Sequence, residues 1–274
     1  MALNISSLNS GSNGNCYYIG NEHEAVLIDA GLTCKETEKR MLRLNLKMSK
    51  VKAIFISHEH GDHIKGLDVL AHKFSLPVYI TSNTLSGCPA LRKELAVNFI
   101  AHEPINIGEL SITAFPKLHD AADPHSFIIC CNGVTIGVFT DIGTPCAHLI
   151  TYFKQCHAAF LESNYDEGML DISRYPFFLK NRISGGQGHL SNKQALDLFT
   201  THRPKMMSHL LLSHLSKNNN CPDLALELFK PHAGRTKVIV ASRFVESPVF
   251  RITNGEALIK PVLPHVTSTQ LAFF

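Results

Sequence analysis

Three histidines and one aspartate fall within six consecutive residues, His58-Glu59-His60-Gly61-Asp62-His63. Imidazole and carboxylate are the groups that bind divalent first-row metals in nitrogen- and oxygen-rich sites. The run just before the motif, Lys52–Ser57 (KAIFIS), reads as a buried strand. The run just after it, Asp62–Phe74, reads as a helix with Ile64, Leu67, Leu70 and Ala71 on one face. Residues two apart on an extended segment point the same way, so His58 and His60 face one metal together. Asp62 and His63, adjacent at a helix start, diverge and suit a second metal beside the first.

Two metals need further ligands. His119 ends the strand-like stretch SITAFPKLH, Asp141 ends VTIGVFTD and His214 ends MMSHLLLSH, each just past an apolar run where a sheet delivers side chains to its rim. His119 completes the first site, His214 the second, and a carboxylate at Asp141 bridges both. His209 is the rival to His214, but it lies mid-strand.

The remaining elements form a frame for these ends. Glu24–Asp29 (EAVLID) reads as a strand and Thr33–Leu46 as a helix with Thr33 as N-cap and Glu36 at the capping-box position. Pro77–Thr81 is a short strand. Phe127–Cys131 and Val134–Thr140 flank Asn132-Gly133 and form a hairpin. Ala158–Glu162, Met206–Ser213 and Lys237–Ala241 read as strands, and Ser191–Thr200 and Pro222–Lys230 as helices. Strand meanders joined to helical crossovers predict an α/β sandwich of two mixed sheets with helices on the outer faces. The division expected is a domain over 1–243 followed by a C-terminal extension over 244–274.

The 274 residues suit one such domain, with 45% apolar residues for a two-sided core and 18% charged residues. A net charge of +3 argues against gripping nucleic acid by bulk charge, so any such contact is local. The start MALNISSLNSGSNGNC lacks the pattern of a signal peptide. No run approaches the roughly 20 apolar residues that span a bilayer. The eight cysteines form no CxxC pair and read as buried thiols. These features predict a cytoplasmic protein that does not engage membranes.

The order HxHxDH, lone His, strand-ending Asp, last His resembles the metallo-β-lactamase superfamily over nearly the whole chain. The resemblance implies an αβ/βα sandwich with metals at one sheet edge and a metal-dependent hydrolase. Gly188-His189-Leu190-Ser191 and Leu212-Ser213-His214-Leu215-Ser216 resemble the transfer-RNA 3′-processing branch, which implies that His189 acts on the phosphate and that Glu162 orients it. The long Gly/Pro-rich arm of that branch is absent, as is the domain that the β-CASP nucleases insert before their last ligand. Ser10-Gly11-Ser12-Asn13-Gly14-Asn15-Cys16, Ile28-Asp29-Ala30-Gly31-Leu32, His119-Asp120-Ala121-Ala122-Asp123-Pro124, Glu162-Ser163-Asn164-Tyr165-Asp166 and His214-Leu215-Ser216-Lys217 resemble the WalJ (YycJ)-type DNA exonuclease branch. That resemblance implies digestion of DNA from the 5′ end, with a role near DNA repair.

On this reading the nucleophile is a hydroxide held between two divalent ions (Zn, Mn or Fe), Asp62 is both ligand and orienter, and His189 protonates the leaving oxygen. Ser12, Asn13, Asn15 and Ser216 are candidate phosphate contacts, with Ser10–Asn15 either an anion nest or a plain turn. Arg174, Lys180 and Arg182 read as solvated charge. Tyr165 and Phe177 read as core aromatics rather than platforms for bases. The competing functions are a small-molecule hydrolase for a thioester, lactone or cyclic phosphodiester, and a non-enzymatic interaction module. The tail Thr269-Gln270-Leu271-Ala272-Phe273-Phe274 either packs on the domain or docks on a sliding clamp, with Gln270 at a groove rim and Leu271, Phe273 and Phe274 as apolar contacts.

Overall fold

A computed structural model describes residues 2–254. Two seven-stranded sheets face each other. The first holds β1 (Leu3–Asn9), β2 (Cys16–Gly20), β3 (Ala25–Ile28), β4 (Val51–Phe55), β5 (Val78–Tyr79), β6 (Ala96–Val97) and β14 (Phe250–Ile252), in the order β14-β1-β2-β3-β4-β5-β6. The second holds β7 (Pro104–Ile107), β8 (Leu110–Pro116), β9 (His125–Cys131), β10 (Val134–Phe139), β11 (Ala158–Glu162), β12 (His209–Ser213) and β13 (Lys237–Val240), in the order β13-β12-β11-β10-β9-β8-β7.

Both sheets change from antiparallel to parallel halfway across. In the first, β14 through β3 pair antiparallel and β3 through β6 parallel. In the second, β7 through β10 pair antiparallel and β10 through β13 parallel. The consequence decides where the chemistry sits. β8 and β10 both run antiparallel to β9, so they share a direction with β11 and β12, and all four end on one edge.

Alternation along the strands supplies the core between the sheets. Ile5, Tyr17, Val26 and Phe55 of the first sheet meet Ile112, Phe127, Ile136 and Phe160 of the second. The Tyr17 and Phe160 rings lie 4.8 Å apart. A second cluster packs the helices Cys34–Arg43 and Leu67–Phe74 on the outside of the first sheet. A third packs Ala147–Phe153, Asn192–His202 and Pro222–Phe229 on the outside of the second.

The hairpin at Asn132-Gly133 forms, with positive φ at both turn residues (47° and 76°). Ser191 caps its helix with a capping box to Gln194. Thr33 caps its helix too, but the Glu36 carboxylate accepts from Arg40 instead of closing a box, and the helix ends at Arg43. The single helix expected over Asp62–Phe74 is two, Gly61–Ile64 and Leu67–Phe74, separated at Gly66. A Cβ at Gly66 would lie 1.8 Å from the Leu32 carbonyl oxygen, so the chain turns where only glycine fits.

Residues 244–254, at the start of the extension read from the sequence, contribute β14 to the edge of the first sheet, and Ser247 Oγ accepts from the Ser7 N–H at 2.9 Å. The tail motif at 269–274 lies outside the described residues. Among the described residues no helix is long and apolar enough to cross a membrane.

Candidate metal centre

The edge shared by β8, β10, β11 and β12 faces the loop that follows β4. There His58, His60 and His119 gather in one group and Asp62, His63 and His214 in another, with Asp141 within reach of both. All seven ligands expected from the sequence therefore lie together. His209 opens β12 beside Phe250, away from the cluster.

The backbone bends sharply to aim these groups. Asp29, Asp141 and His214, each just past its strand, adopt left-handed φ values of 62°, 55° and 56°. Non-glycine residues rarely hold this conformation, and it concentrates at functional sites. The Gly31 backbone also lies so close to Asp62 that a Cβ there would sit 1.7 Å from the Asp62 carbonyl oxygen. The loop that carries the histidines is thus seated directly on the loop after β3.

Four of the five rings, those of His58, His63, His119 and His214, are fixed by a partner on one nitrogen, which leaves the other facing the cluster. His63 Nδ1–H donates to Asp29 Oδ2 at 2.7 Å. Ser57 Oγ–H also donates to Asp29, at 2.9 Å, and its oxygen stands 2.9 Å from His58 Nδ1. His119 Nδ1–H donates to the Gly188 carbonyl at 3.0 Å. His214 Nδ1–H donates to Glu162 Oε1 at 2.9 Å, and its Nε2 stands 3.4 Å from Asp62 Oδ2. The inward nitrogens then crowd one another: His58 Nε2 lies 3.1 Å and His119 Nε2 3.4 Å from His60 Nδ1.

This arrangement fits divalent cations. Lone pairs pointed at one another in a buried space lack a counterpart that a metal would provide. Asp141 Oδ2 is buried, lies 3.0 Å from His63 Nε2, and among the described residues meets no donor in hydrogen-bonding geometry. The electrostatics divide the cluster. Burial holds His58 well below the usual imidazole value and brings His119 down to about 4, so both rings are neutral and ready to ligate. Burial opposes the charge on His63 and His214 as well, but the carboxylates prevail. Asp141, Asp29 and Asp62 lift His63 to about 10, and Asp141 and Glu162 hold His214 well above its usual value. A proton on these two rings and a metal on the same nitrogens are alternatives.

Glu162 anchors the second half. Its Oε1 accepts from His189 Nδ1–H at 2.8 Å as well as from His214, and its Oε2 accepts the backbone N–H groups of Ile142 (2.7 Å) and Leu190 (3.1 Å). Burial opposes its ionisation, but His189 and His214 bring its pKa down to about 2. With Nδ1 committed, His189 presents Nε2, and its side chain is 21% exposed, whereas His63 is sealed from solvent.

The four candidate phosphate contacts differ in placement. Asn15 is buried, and its Nδ2 donates to Asp62 Oδ2 at 3.1 Å. Ser12 and Asn13 are exposed on the rim, and Ser216 lines a cavity beside His214. Several N–H groups of the Ser10–Asn15 loop are consumed within the protein, Gly11 N–H by Asn15 Oδ1 and Asn15 N–H by the Asp62 carbonyl. Tyr165 is buried, as expected. Phe177 is not: it is 77% exposed and Phe178 beside it 72%. Arg182 is tied to Asp120 at 2.6 Å.

Sequence reasoning missed Asp29, Ser57 and Lys117. Asp29 has the same signature as Asp141, a carboxylate ending an apolar strand with glycine two residues on, and that signal was available. Lys117 is buried beneath the cluster, where its Nζ–H donates to the Thr140 carbonyl at 2.7 Å and burial pushes its pKa down against the pull of Asp141. It thereby ties the end of β8 to the residue before Asp141.

Residues 24–214 match the family model described as beta-lactamase superfamily domain. The chain is 35% identical to exodeoxyribonuclease YycJ of Bacillus anthracis over 82% of its own length and 87% of that protein. It is 30% identical to exodeoxyribonuclease WalJ of Streptococcus pneumoniae over 82% of its length and 86% of that protein. Among solved structures, the metallo-beta-lactamase fold protein YhfI from Bacillus subtilis superposes with a TM-score of 0.71 at 16% identity, covering 92% of this chain and all of that one, a likeness of fold alone. The chain belongs to the metallo-β-lactamase superfamily, in the branch of YycJ and WalJ, and is a metal-dependent hydrolase.

Proposed function

We propose that this protein is a 5′-to-3′ DNA exonuclease that hydrolyses phosphodiesters at the cluster built by His58, His60, Asp62, His63, His119, Asp141 and His214. The observation that carries the reading is the Glu162–His189 pair set against that cluster, since a partly exposed imidazole with one nitrogen anchored is placed to serve a leaving group. The names of the relatives, exodeoxyribonucleases, supply the substrate class.

His58, His60 and His119 would hold one divalent ion, Asp62, His63 and His214 a second, and Asp141 both. When bound, such ions acidify water into a nucleophile at neutral pH and offset charge on phosphoryl oxygens. The protein's own groups do the rest. Asp62, held by Asn15, orients the attacking side. His189 Nε2 gives a proton to the leaving oxygen, and Glu162 keeps that ring in the right tautomer and stabilises its charge. An all-His/carboxylate set suits Zn, Mn or Fe without a thiolate to force the choice.

The same reading puts the protein with DNA in the cytoplasm, in DNA repair, as one catalytic domain with a C-terminal extension. Docking of Gln270, Leu271, Phe273 and Phe274 on a sliding clamp would raise the local concentration at DNA ends. Calorimetric titration of the six-residue peptide 269–274 into the clamp checks that part, and no heat of binding removes it.

The principal experiment compares duplex DNA labelled at the 5′ end, duplex labelled at the 3′ end, and closed circular duplex, each with Mn or Zn. Early release of mononucleotide label from the 5′-labelled strand is expected. Nicking of the closed circle at a comparable rate would replace the exonuclease with an endonuclease.

A further inference from the structure

We infer that the cavity between the C-terminal ends of β12 and β13 binds the 5′-terminal nucleotide of a DNA strand, its phosphate held by Arg243 and Lys217 and its base laid against Phe244; the inference rests on the nuclease reading above.

Position is the first argument. β11, β12 and β13 run parallel, and ligands of such sheets bind in the crevice outside the carboxyl ends of the strands. The cavity opens on the same edge as the metal cluster. Ser10 belongs to both: it lines the cavity, and its Oγ accepts the His214 N–H at 2.7 Å. Leu215, which directly follows His214, forms part of the wall. A nucleotide seated here therefore lies next to the cluster, and its next phosphodiester is the bond within reach.

Charge is the second argument. Arg243 and Lys217 line the cavity, and among the described residues no carboxylate does. Among the described residues neither forms an ion pair. The carboxylate closest in sequence to Arg243, Glu246, is taken by Arg43 at 2.5 Å. Among the described residues the Arg243 guanidinium reaches only neutral oxygens, Leu215 O and Asn13 Oδ1, each at 3.5 Å. Five donors and a fixed positive charge remain largely uncommitted, which suits bidentate binding of a phosphate. Asn13 holds the backbone of this residue, its Nδ2 donating to the Arg243 carbonyl at 2.8 Å, so the rim loop supports the site by positioning Arg243.

Shape is the third argument. The volume is about 260 Å³, just under the roughly 300–1,000 Å³ of pockets that take drug-sized molecules, which limits the occupant to one nucleotide-sized group. Val240, Ala241 and Pro222 give it apolar walls. Phe244 stands at the mouth with 71% of its surface exposed, while its backbone is pinned: its carbonyl accepts from Arg40 Nη2 at 2.9 Å and its N–H donates to Ser242 Oγ at 3.0 Å. An exposed ring on a fixed backbone is the form of a base-stacking platform. A site sized for one terminal nucleotide would favour action from a strand end in a protein of modest net charge.

The test is calorimetric titration of deoxyadenosine 5′-monophosphate, deoxyadenosine and inorganic phosphate, with digestion of 5′-phosphorylated and 5′-hydroxyl duplexes in parallel. The monophosphate should bind more tightly than either fragment, and 5′-phosphorylated ends should be preferred. Arg243→Ala and, independently, the exposed Lys217→Ala should each weaken monophosphate binding about tenfold and erase the end preference. Phe244→Ala should lower the affinity for the monophosphate while leaving that for inorganic phosphate unchanged. Equal monophosphate affinity in wild type and both cation variants overturns the inference, as does inorganic phosphate binding as tightly as the nucleotide. If DNA is digested but these effects are missing, the nuclease reading stands without the pocket. If the nucleotide binds as expected but no DNA is digested, the pocket stands without the nuclease.

Discussion

The metal cradle and the helical stretch from Glu167 to Ser184 are neighbours in the fold and opposites in chemistry. In the cradle His58 and His63 are fully buried, and most ring nitrogens not turned inward have a fixed partner. In the stretch Ile172, Phe177 and Phe178 are 84%, 77% and 72% exposed, and helix Phe177–Ser184 contributes no buried residue. The two are linked by the ion pair between Arg182 and Asp120, beside His119, and by the His189 N–H bond to the Ile183 carbonyl. The cradle is covered because two sheets converge on it. The stretch leaves the end of β11 beyond the sheet edge, where Leu170 is buried but the ring-bearing helix Phe177–Ser184 is covered by little of the described protein. Local type alone does not decide burial; the number of layers a segment lies between does.

The cradle side of this contrast breaks hardest at Asp141. Asp141→Asn removes the carboxylate that both groups share and is expected to abolish hydrolysis and lower metal content, read by metal analysis of the purified variant. Full activity with both metals retained would dissolve the assignment. Next in size is His189→Ala. Loss of a general acid typically costs about 10²–10⁴-fold, so turnover on DNA should fall by that order with metal content unchanged. The loss should shrink on a nitrophenyl phosphodiester, whose leaving group needs little protonation. Equal losses on both would give His189 another task.

Asp29→Asn is smaller and separates scaffold from ligand. Asp29 touches no inward nitrogen; it accepts from His63 Nδ1–H, Ser57 Oγ–H and Ser57 N–H. Removing such a supporting carboxylate typically costs about 10–100-fold in metal affinity. Activity should therefore recover when excess metal is added, whereas Asp141→Asn should not recover.

The same contrast explains what the sequence could reveal. His58, His60, Asp62 and His63 are legible because six consecutive residues at the end of a strand decide their mutual placement. His119, Asp141 and His214 are legible as polar residues ending apolar runs, since sheet direction alone brings such ends to one edge. Asp29 carried the same sign but had no partner in sequence to give it a task, because its carboxylate reaches across to Ser57 and His63, in the loop and helix that follow β4. Lys117 and Arg243 were hidden for a stronger reason: their roles depend on what surrounds them, one buried against Thr140 and one lacking an acid, and neither condition is local. The split of the helix at Gly66 depends on Leu32, more than thirty residues earlier, and Phe177 looked like core because nothing in its own neighbourhood says that the sheets have ended.

The smallest expected effect tests the exposed side. Phe160 lies between the sheets, fully buried against Tyr17, so Phe160→Ala should cost roughly 3–5 kcal/mol of stability. Phe177→Ala removes a ring of the same size that is mostly in water, and surface substitutions of this kind stay within about 0.5 kcal/mol. Urea unfolding of the two variants beside the parent reads the difference directly, provided the slope of the transition is unchanged. A loss at Phe177 approaching that at Phe160 would mean that the stretch packs against something, and the contrast between a sealed cradle and an open flank would be wrong. A loss within the surface range, together with the large loss at Phe160, would place the Phe177 ring outside the stabilising core and leave the stretch 167–184 held by its polar ties, chiefly Arg182 to Asp120 and Lys193 to Glu167.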